Sequence, residues 1–447
     1  MIFFNRLMKG ITFILCVVLI ASGLSSSHLA MADENSGSED SSLVKEESSQ
    51  NGGTEDTSDL DGIKVTEVSS DKEMRGVWIS FLEFDANGYT KSEFTDYIDK
   101  VFDHCVSLKL NTVFVHVRPF ADAMYKSSYY PWSKYASGKE GKSPGYDPLE
   151  YMVKAAHKRN LDIHAWINPY RISSSSTDVN KLVKTSYAYK WSHSSKKNLR
   201  RNVLVYAGKL YFNPSSKKVQ KLITNGVKEI VKNYDVDGIH FDDYFYPNMG
   251  SEYKKVFDAK EYNQYVKRCK KNKTSPLNIV KWRRKQVNTL VKNIYSAVKK
   301  IDSDCVFGIS PAGNLDNLYL KCGNYVDVKT WMGNKGYIDY ICPQIYWSFT
   351  QQTCPYKETV TRWASIKRVS SVKMYIGLAS YRAGITYKEA KTITDVQWSK
   401  SSTILKRQLN YLRKKELDGF VLFSYTSLTN TSGRAAKEIK NFVSLLK

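Results

Sequence analysis

The chain of 447 residues carries 67 lysines and arginines against 44 acids, which gives a formal net charge of +23 at pH 7. Its lysines are dispersed and no helix-turn-helix or RNA-binding signature accompanies them, so the charge does not indicate a nucleic-acid partner. Polyanions of another kind, or simply a solvated lysine-rich surface, explain the excess positive charge.

The amino terminus has the pattern of a secretory signal peptide. Arg6 and Lys9 precede an apolar run over residues 11–20, and the small residues at 30–32 form an Ala-x-Ala cleavage site. The apolar run is shorter than a typical transmembrane helix, and the alternative is that it stays uncleaved as a membrane anchor. We predict that the signal peptide spans residues 1–32, that no stable membrane span is left after cleavage, and that the mature protein is extracytoplasmic, either secreted or associated with the cell wall.

Residues 33–71 are rich in Ser, Gly, Asp and Glu and have almost no large apolar side chains, which predicts a disordered linker. This segment holds 12 acids against Lys45 and Lys64. Residues 72–447 instead hold 63 lysines and arginines against 32 acids, a net charge of +31. We therefore predict one strongly basic folded domain over residues 72–447. For an exported protein, the polyanions it would meet are wall polymers and acidic glycans.

The cysteines indicate neither a zinc site nor a redox motif. Six remain after signal removal, and none forms a Cys-x-x-Cys pair. Disulfides are permitted outside the cell, with Cys305 to Cys322 and Cys342 to Cys354 as the nearest candidates, although Cys342 lies in an apolar strand and is more simply a packed thiol. We predict no structural metal and no cofactor.

From residue 72 onward, apolar strand-like runs alternate with helical patterns, which predicts a parallel sheet. Eight such units favour an α/β fold, the (β/α)8 TIM barrel with loop insertions, over a doubly wound sheet, for which no Gly-x-Gly-x-x-Gly loop is present. Residues 429–447 form a closing helix in this prediction. The predicted strands are 75–80, 112–118, 162–168, 238–242, 306–310, 338–346, 374–379 and 419–425, and the main predicted helices are 91–108, 148–159, 215–234, 280–300 and 402–415.

The two-residue side-chain period of a strand predicts which residues face the barrel axis. The predicted inward set is polar and aromatic toward the carboxyl ends of the strands, where a β/α barrel places its binding site. A single inward histidine such as His164 is more simply a satisfied core residue. The inward set is Trp78, Ser80, His116, Arg118, His164, Trp166, Asn168, His240, Asp242, Ser310, Gln344 and Tyr346.

The segment 235–247 is a buried strand that leads into two adjacent carboxylates and an aromatic loop. Strand parity aims Asp242 inward, and we predict it as the ionised catalytic carboxylate, favoured by neighbouring cations. Asp243 should point elsewhere unless the strand ends in a bulge or turn at that residue. The alternative is that the acidic pair is a solvated turn. The loop carboxylates that could also supply a proton are Asp122, Glu83, Asp85 and Asp316.

The loop aromatics indicate a glycan ligand. The chain has 31 tyrosines and 9 tryptophans, many of them just after strand ends, and sugar sites combine aromatic platforms with polar hydrogen-bonding groups. For Arg283, a surface arginine at a helix start is an equal alternative. The predicted substrate-binding residues are His116, Arg118, Trp166, Asn168, His240, Tyr244, Arg283, Gln344, Tyr346 and Trp347.

Several motifs, in the right order over residues 72–428, resemble the bacterial glycosyl hydrolase-like 10 family. They are Glu73-Met74-Arg75-Gly76-Val77-Trp78, Val117-Arg118-Pro119, Asp122-Ala123-Met124-Tyr125, Trp166-x-Asn168-Pro169-Tyr170-Arg171, 235–247, Trp282-Arg283-Arg284, Gly308-Ile309-Ser310-Pro311 and Pro343-Gln344-Ile345-Tyr346-Trp347. The resemblance implies a (β/α)8 barrel and a glycoside hydrolase, and at least one member cleaves peptidoglycan glycan strands stripped of their peptides. It also gives Asp122 and Asp243 precedence as proton donors.

That substrate is consistent with the charge of residues 72–447. Once the peptides are removed, each muramic acid carries a free carboxylate, so a denuded glycan is a polyanion that a basic surface would concentrate. The predicted partner is therefore a polysaccharide, either peptidoglycan glycan or another anionic wall polymer. Two alternatives stay open at this point: a catalytically silent barrel that binds glycan, and a hydrolase of another exported amino-sugar polysaccharide.

Overall fold

The computed structural model describes residues 73–430 and 432–446, so the predicted signal peptide and the whole of the predicted linker lie outside the described residues. Eight parallel strands close into a barrel in the order β1-β10-β9-β8-β7-β6-β3-β2, which confirms the predicted (β/α)8 fold. The barrel strands are β1 Met74–Ile79, β2 Thr112–Arg118, β3 Asp162–Ile167, β6 Gly238–Phe241, β7 Val306–Ile309, β8 Tyr340–Ile341, β9 Lys373–Leu378 and β10 Gly419–Phe423.

The helices pack their apolar stripes against the outer face of this barrel. The longest helix, Ile279–Ile301, is capped at its start by Asn278, whose side-chain oxygen accepts the backbone N–H of Lys281. The helices are α1 Lys91–Ser107, α2 Lys134–Ser137, α3 Pro148–His157, α4 Tyr187–Ser192, α5 Lys197–Arg200, α6 Lys217–Asn233, α7 Ala259–Lys271, α8 Ile279–Ile301, α9 Leu315–Leu318, α10 Val328–Gly333, α11 Tyr356–Ala364, α12 Tyr387–Thr392, α13 Gln397–Lys400, α14 Ile404–Lys414 and α15 Gly433–Val443. The last of these is the predicted closing helix.

Two features of the sheet differ from the sequence prediction. Strand β8 is shorter than predicted, because Pro343 has no N–H to donate and beyond Ile341 only single bridges at Gln344 continue the pairing. An antiparallel hairpin, β4 Val203–Tyr206 and β5 Lys209–Phe212, was not predicted and is inserted after β3. Its tight turn has positive φ at both central residues, as two-residue hairpin loops require.

The barrel interior is filled by large rings, and two glycines make room for them. A Cβ on Gly308 would lie 2.1 Å from the Tyr340 ring, and one on Gly238 would lie 2.7 Å from the His164 ring. Both contacts are far below van der Waals separation. The absence of a side chain at these positions is therefore what admits the aromatic layer.

The barrel is sealed where its first and last strands meet. Glu73 accepts N–H groups from Arg413 on α14 at 2.8 Å, and Glu83 accepts from the Ser424 hydroxyl at 2.9 Å and from Thr426 after β10. Glu83 was predicted as a loop carboxylate that could reach over the mouth. Both of its oxygens are instead occupied by protein donors, the second by the backbone N–H of Ser80, so it has a structural role.

The six described cysteines are all free thiols, so neither candidate disulfide forms, and Cys342 is fully buried as predicted. No helix in the described part of the chain combines the length and apolar character that a membrane crossing requires. Within residues 73–430 and 432–446, no group of three or more His, Cys, Asp or Glu side chains is arranged to hold a metal ion.

Replacing Gly308 with alanine should destabilise the fold by about 1–3 kcal/mol, because the added methyl group overpacks the Tyr340 ring. Equilibrium unfolding in denaturant measures the change. Gly333→Ala is the control, since its Cβ would meet only the Lys367 carbonyl oxygen at 3.7 Å. Equal unfolding midpoints for Gly308→Ala and the wild type would contradict this account of the interior.

Candidate active site

The site is built around the end of β6. The strand stops at Phe241, Asp242 follows outside regular secondary structure, and the chain bends at Asp243. Because the strand has ended, the alternation that would point the two side chains apart no longer applies, and both carboxyls are buried, at 2% and 6% exposure. The predicted alternative of a solvated acidic turn is therefore wrong.

Asp242 is held by donors from two elements. The indole Nε1–H of Trp166 on β3 donates to Oδ2 at 3.3 Å, and the backbone N–H of Tyr244 donates to Oδ1 at 3.1 Å. Parallel pairing of β3 with β6 places Trp166 beside His240 and so within reach of Asp242. The carboxyl is thereby fixed at the mouth of the barrel.

Burial governs the charge of this pair. It raises the pKa of Asp242 well above the ordinary range, and the neighbouring charge of Asp243 raises it further. Burial also raises the pKa of Asp243, to about 7, against the lowering effect of Arg171. The prediction that cations would favour an ionised Asp242 is wrong, because loss of hydration outweighs them. At neutral pH the pair retains a proton.

Arg171 is the cation of the site, and sequence reasoning did not select it. Its guanidinium lies 4.5 Å from the centre of the Tyr244 ring and 5.2 Å from that of Phe120, so it connects the loops after β2 and β6. Its charge acts on Asp242 and Asp243. The signal that could have found it is its place three residues after Asn168, beyond the carboxyl end of β3.

His116 and Trp166 form the aromatic wall beside the carboxyls. Their rings stack with centroids 3.8 Å apart and an angle of 8°. Burial and the positive charge of Arg171 lower the pKa of His116 well below its usual value, so the ring is neutral. Within the described residues, neither ring nitrogen has a hydrogen-bond partner of good geometry, although the Asn168 side chain lies close enough to raise the pKa. The Oδ1 atom of Asn168 likewise has no partner there.

His240 lies one layer deeper, in a chain of hydrogen bonds. The Trp78 Nε1–H donates to its Nε2 at 3.1 Å, so its Nδ1 carries the proton and donates to the Tyr340 hydroxyl at 2.9 Å. That hydroxyl in turn donates to Nδ1 of His164 at 3.0 Å. Both nitrogens of His240 are used, and it is fully buried. The predicted substrate contact from His240 is therefore wrong; it supports the floor of the site.

The side chain of Arg118 contacts other groups of the protein. This corrects the prediction that Arg118 contacts the substrate. The pairing of β2 with β3 shifts register between His116 and Arg118, and this irregularity breaks the strict alternation of side chains. Its Nη2 donates to the Asn168 and Pro169 carbonyl oxygens, and its guanidinium stacks 4.3 Å from the centre of the Tyr130 ring. It is 1% exposed.

Arg283 is neither a substrate contact nor a surface residue. It is fully buried on α8 and forms an ion pair with Asp258 at 2.7 Å. Its other donations go to the Tyr325 hydroxyl and to the carbonyl oxygen of Tyr253, both at 2.8 Å. All three guanidinium nitrogens are occupied, so the arginine is a structural anchor for the loop after β6.

The remaining carboxylates separate by environment. Asp122 is 4% exposed in the loop after β2, where its Oδ1 accepts the backbone N–H of Phe120 at 3.1 Å. Burial raises its pKa, against the lowering effects of Ser133 and Arg118. Its partner Phe120 packs against Arg171, which places Asp122 at the edge of the site. Asp316 instead forms an exposed ion pair with Arg362, and Asp85 caps its own turn.

The predicted aromatic and amide groups after β8 are half-buried. The Gln344 Nε2 group donates to the Ser310 carbonyl oxygen at 3.0 Å. Tyr346 packs edge-on against Tyr381, and the charge of Asp243 helps to raise its pKa. Trp347 lies close to Gly313, where an added Cβ would meet its ring at 2.9 Å.

A closed parallel barrel with buried carboxyls, an arginine and aromatic side chains at the carboxyl ends of its strands is an architecture of the glycoside hydrolase class. Among solved structures, the catalytic domain of β-amylase from Paenibacillus polymyxa has a TM-score of 0.51 at 11% identity, covering 84% of this chain and 99% of that one. Likeness at this identity concerns the fold.

Sequence comparison defines the family. The family model described as Glycosyl hydrolase-like 10 matches residues 73–399, and the chain belongs to this family. Glycosyl hydrolase YngK of Bacillus subtilis (strain 168) is 36% identical over 390 residues, which cover 81% of this chain and 70% of that protein. Glycosyl hydrolase DigH of Escherichia coli (strain K12) is 31% identical over 385 residues, which cover 80% and 84%.

Asp243→Asn should stabilise the fold at pH 8 by roughly 2–4 kcal/mol and have little effect near pH 4. A pKa of about 7 in the folded protein, against about 3.9 in the unfolded chain, means that the wild type loses stability as pH rises between these values. The asparagine does not ionise and avoids that loss. Denaturant unfolding at both pH values measures it, with exposed Asp316→Asn as control. An equal or less stable Asp243→Asn protein at pH 8 would contradict the burial of this charge.

Proposed function

We propose that this protein is a glycoside hydrolase that cleaves cell-wall glycan strands, with peptide-stripped peptidoglycan as substrate, by acid and base chemistry at Asp242 and Asp243. The observation that carries the proposal is the pair of adjacent, buried carboxyls whose pKa values are both raised. Glycoside hydrolysis requires one protonated and one ionised carboxyl near the scissile bond, and a pair that retains a single proton meets this requirement.

In the proposed mechanism, Asp242 carries the proton. It transfers that proton to the glycosidic oxygen as the bond from this oxygen to the anomeric carbon breaks. The Asp243 carboxylate supports the positive charge that develops on the sugar ring and accepts a proton from the water that adds to the anomeric carbon, so the pair again holds one proton. Trp166 and the Tyr244 backbone hold Asp242 in position, and Arg171 keeps Asp243 ionisable near neutral pH.

The choice of substrate has two supports. The described barrel belongs to a segment with a net charge of +31, which suits a strand bearing a carboxylate on every muramic acid. Half-buried Tyr346 offers a flat apolar surface for a sugar ring. Export to the wall, by the predicted signal peptide, would bring the enzyme to this polymer.

Asp242→Asn and Asp243→Asn should each lower cleavage by roughly 10²- to 10⁴-fold, because each removes one member of the acid and base pair. The measurement is mass spectrometry of soluble products from amidase-treated peptidoglycan, beside intact peptidoglycan. Asp316→Asn, which alters an exposed carboxylate of the same barrel, should cleave normally. The reducing ends of the products identify the linkage.

Two outcomes would redirect the proposal. If the wild type binds the denuded glycan and releases no fragments, the barrel is a silent glycan-binding protein. If both asparagine variants cleave at the wild-type rate, the catalytic carboxyls lie elsewhere. An aryl glycoside with a good leaving group separates the two roles, since it should rescue Asp242→Asn and leave Asp243→Asn inactive.

Arg171→Gln should move the acidic limb of kcat/KM to higher pH. Burial raises the pKa of Asp243 to about 7 even though the guanidinium of Arg171 lowers it, so removal of the guanidinium raises this pKa further and the base is protonated at higher pH. A pH profile from 5 to 9, set around the value near 7, measures the shift. Arg362→Gln, at an exposed ion pair, is the matched control. An unshifted limb in Arg171→Gln would show that Arg171 does not act on the ionising carboxyl.

A further inference from the structure

A second pocket, of about 360 Å³, lies between the β4–β5 hairpin, α5, the start of α6 and α7. It is separate from the residues that surround Asp242. Lys197 and Lys260 in its lining form no ion pair with any other residue in the described part of the chain, whereas Arg201 is bound by Glu261 through two hydrogen bonds of 2.7 and 2.8 Å. The charges of Glu261 and Arg201 cancel, so the two lysines give the pocket a net positive charge.

A buried amide donor in this pocket has no acceptor. Asn202 is 4% exposed, and its Oδ1 accepts the Ser216 hydroxyl at 2.6 Å, which fixes the orientation of the amide. Its Nδ2 has no hydrogen-bond partner within the described residues. A buried donor without an acceptor costs free energy, and such a group lining a pocket indicates an acceptor supplied from outside.

The start of α6 adds further donors to the same pocket. This helix has 17 residues, and Ser215 and Ser216 at its start line the pocket. The Ser216 hydroxyl accepts the N–H of Val219, and the first-turn N–H groups of Lys217 and Lys218 have no intrahelical acceptor. The positive end of the helix dipole therefore faces a pocket that already contains lysines and a free amide donor.

We propose that this pocket binds one oxyanion, a carboxylate or a phosphate, carried on a sugar unit of the polymer. The sugar carrier rests on the proposed function, whereas the anion site itself does not. The hairpin connects the two sites: Arg171 of the mouth pairs with Tyr211 through the backbone, and Asn213 of the pocket follows two residues later, about 7 Å along the strand direction. A glycan chain that leaves the mouth along the hairpin can thus place an acidic group in this pocket.

The test measures binding of inorganic phosphate, N-acetylmuramic acid and N-acetylglucosamine to the full chain by titration calorimetry at low salt. Asn202→Asp keeps the oxygen that accepts from Ser216 and replaces the free donor with a charged acceptor. Lys197→Gln combined with Lys260→Gln removes two exposed charges without touching the buried amide. Lys388→Gln combined with Lys437→Gln, on exposed parts of α12 and α15, makes the same change in net charge away from the pocket.

We expect phosphate to bind the wild type and the Lys388 and Lys437 control, to bind at least tenfold more weakly to the Lys197 and Lys260 variant, and not to bind Asn202→Asp. Binding of phosphate alone identifies a phosphorylated carrier, and binding of N-acetylmuramic acid to this pocket identifies a carboxylated sugar. Phosphate affinity that is equal in all variants, or no anion binding to the wild type, overturns the site. Asp242→Asn should bind phosphate normally, so failure of catalysis and failure of this pocket are distinguishable.

Discussion

The cost of removing two carboxyl groups from water determines how the mouth of this barrel is built. Asp242 and Asp243 are adjacent in sequence and both buried, so they cannot both ionise freely, and the surrounding groups act to limit that cost. Trp166 and the Tyr244 backbone donate to one carboxyl, and Arg171 lies between two rings within range of both. The pair retains a proton because both carboxyls are buried, and a retained proton is what the proposed acid catalysis requires.

Below this pair, the barrel interior is a rigid polar support. The chain of hydrogen bonds from Trp78 through His240 and Tyr340 to His164 satisfies four buried polar side chains in succession, and burial lowers the pKa of both histidines, to about 4 for His164. Burial favours neutral histidines in this layer, and the charge of Asp237 only partly offsets that effect at His164. The support depends in turn on Gly238 and Gly308, which leave the volume that the rings occupy.

The sequence was sufficient to predict what depends on local periodicity. Apolar runs gave the eight strands, and the period of two placed Trp78, Trp166 and Asp242 inward. The predictions for Arg118 and Arg283 were wrong because a register shift and a partner 25 residues away decide where these side chains go. Arg171 and the β4–β5 hairpin were missed because they lie beyond the end of the predicted strand β3. The prediction there could use neither the two-residue period of the barrel strands nor the period of a helix. The depth of burial that sets the charge of Asp242 is a property of the assembled mouth and has no signal in a single segment.

The seal between the first and last strands has a consequence for how the chain folds. The Glu73 bonds to Arg413 and the Glu83 bonds to Ser424 join residues 340 and 341 positions apart. Such contacts form only after nearly the whole barrel sequence is available, and high sequence separation slows folding. A nascent chain lacking β10 therefore has an open sheet with two unpaired edges. Synthesis of the last strand is the event that turns a set of α/β units into a closed cylinder with an assembled mouth.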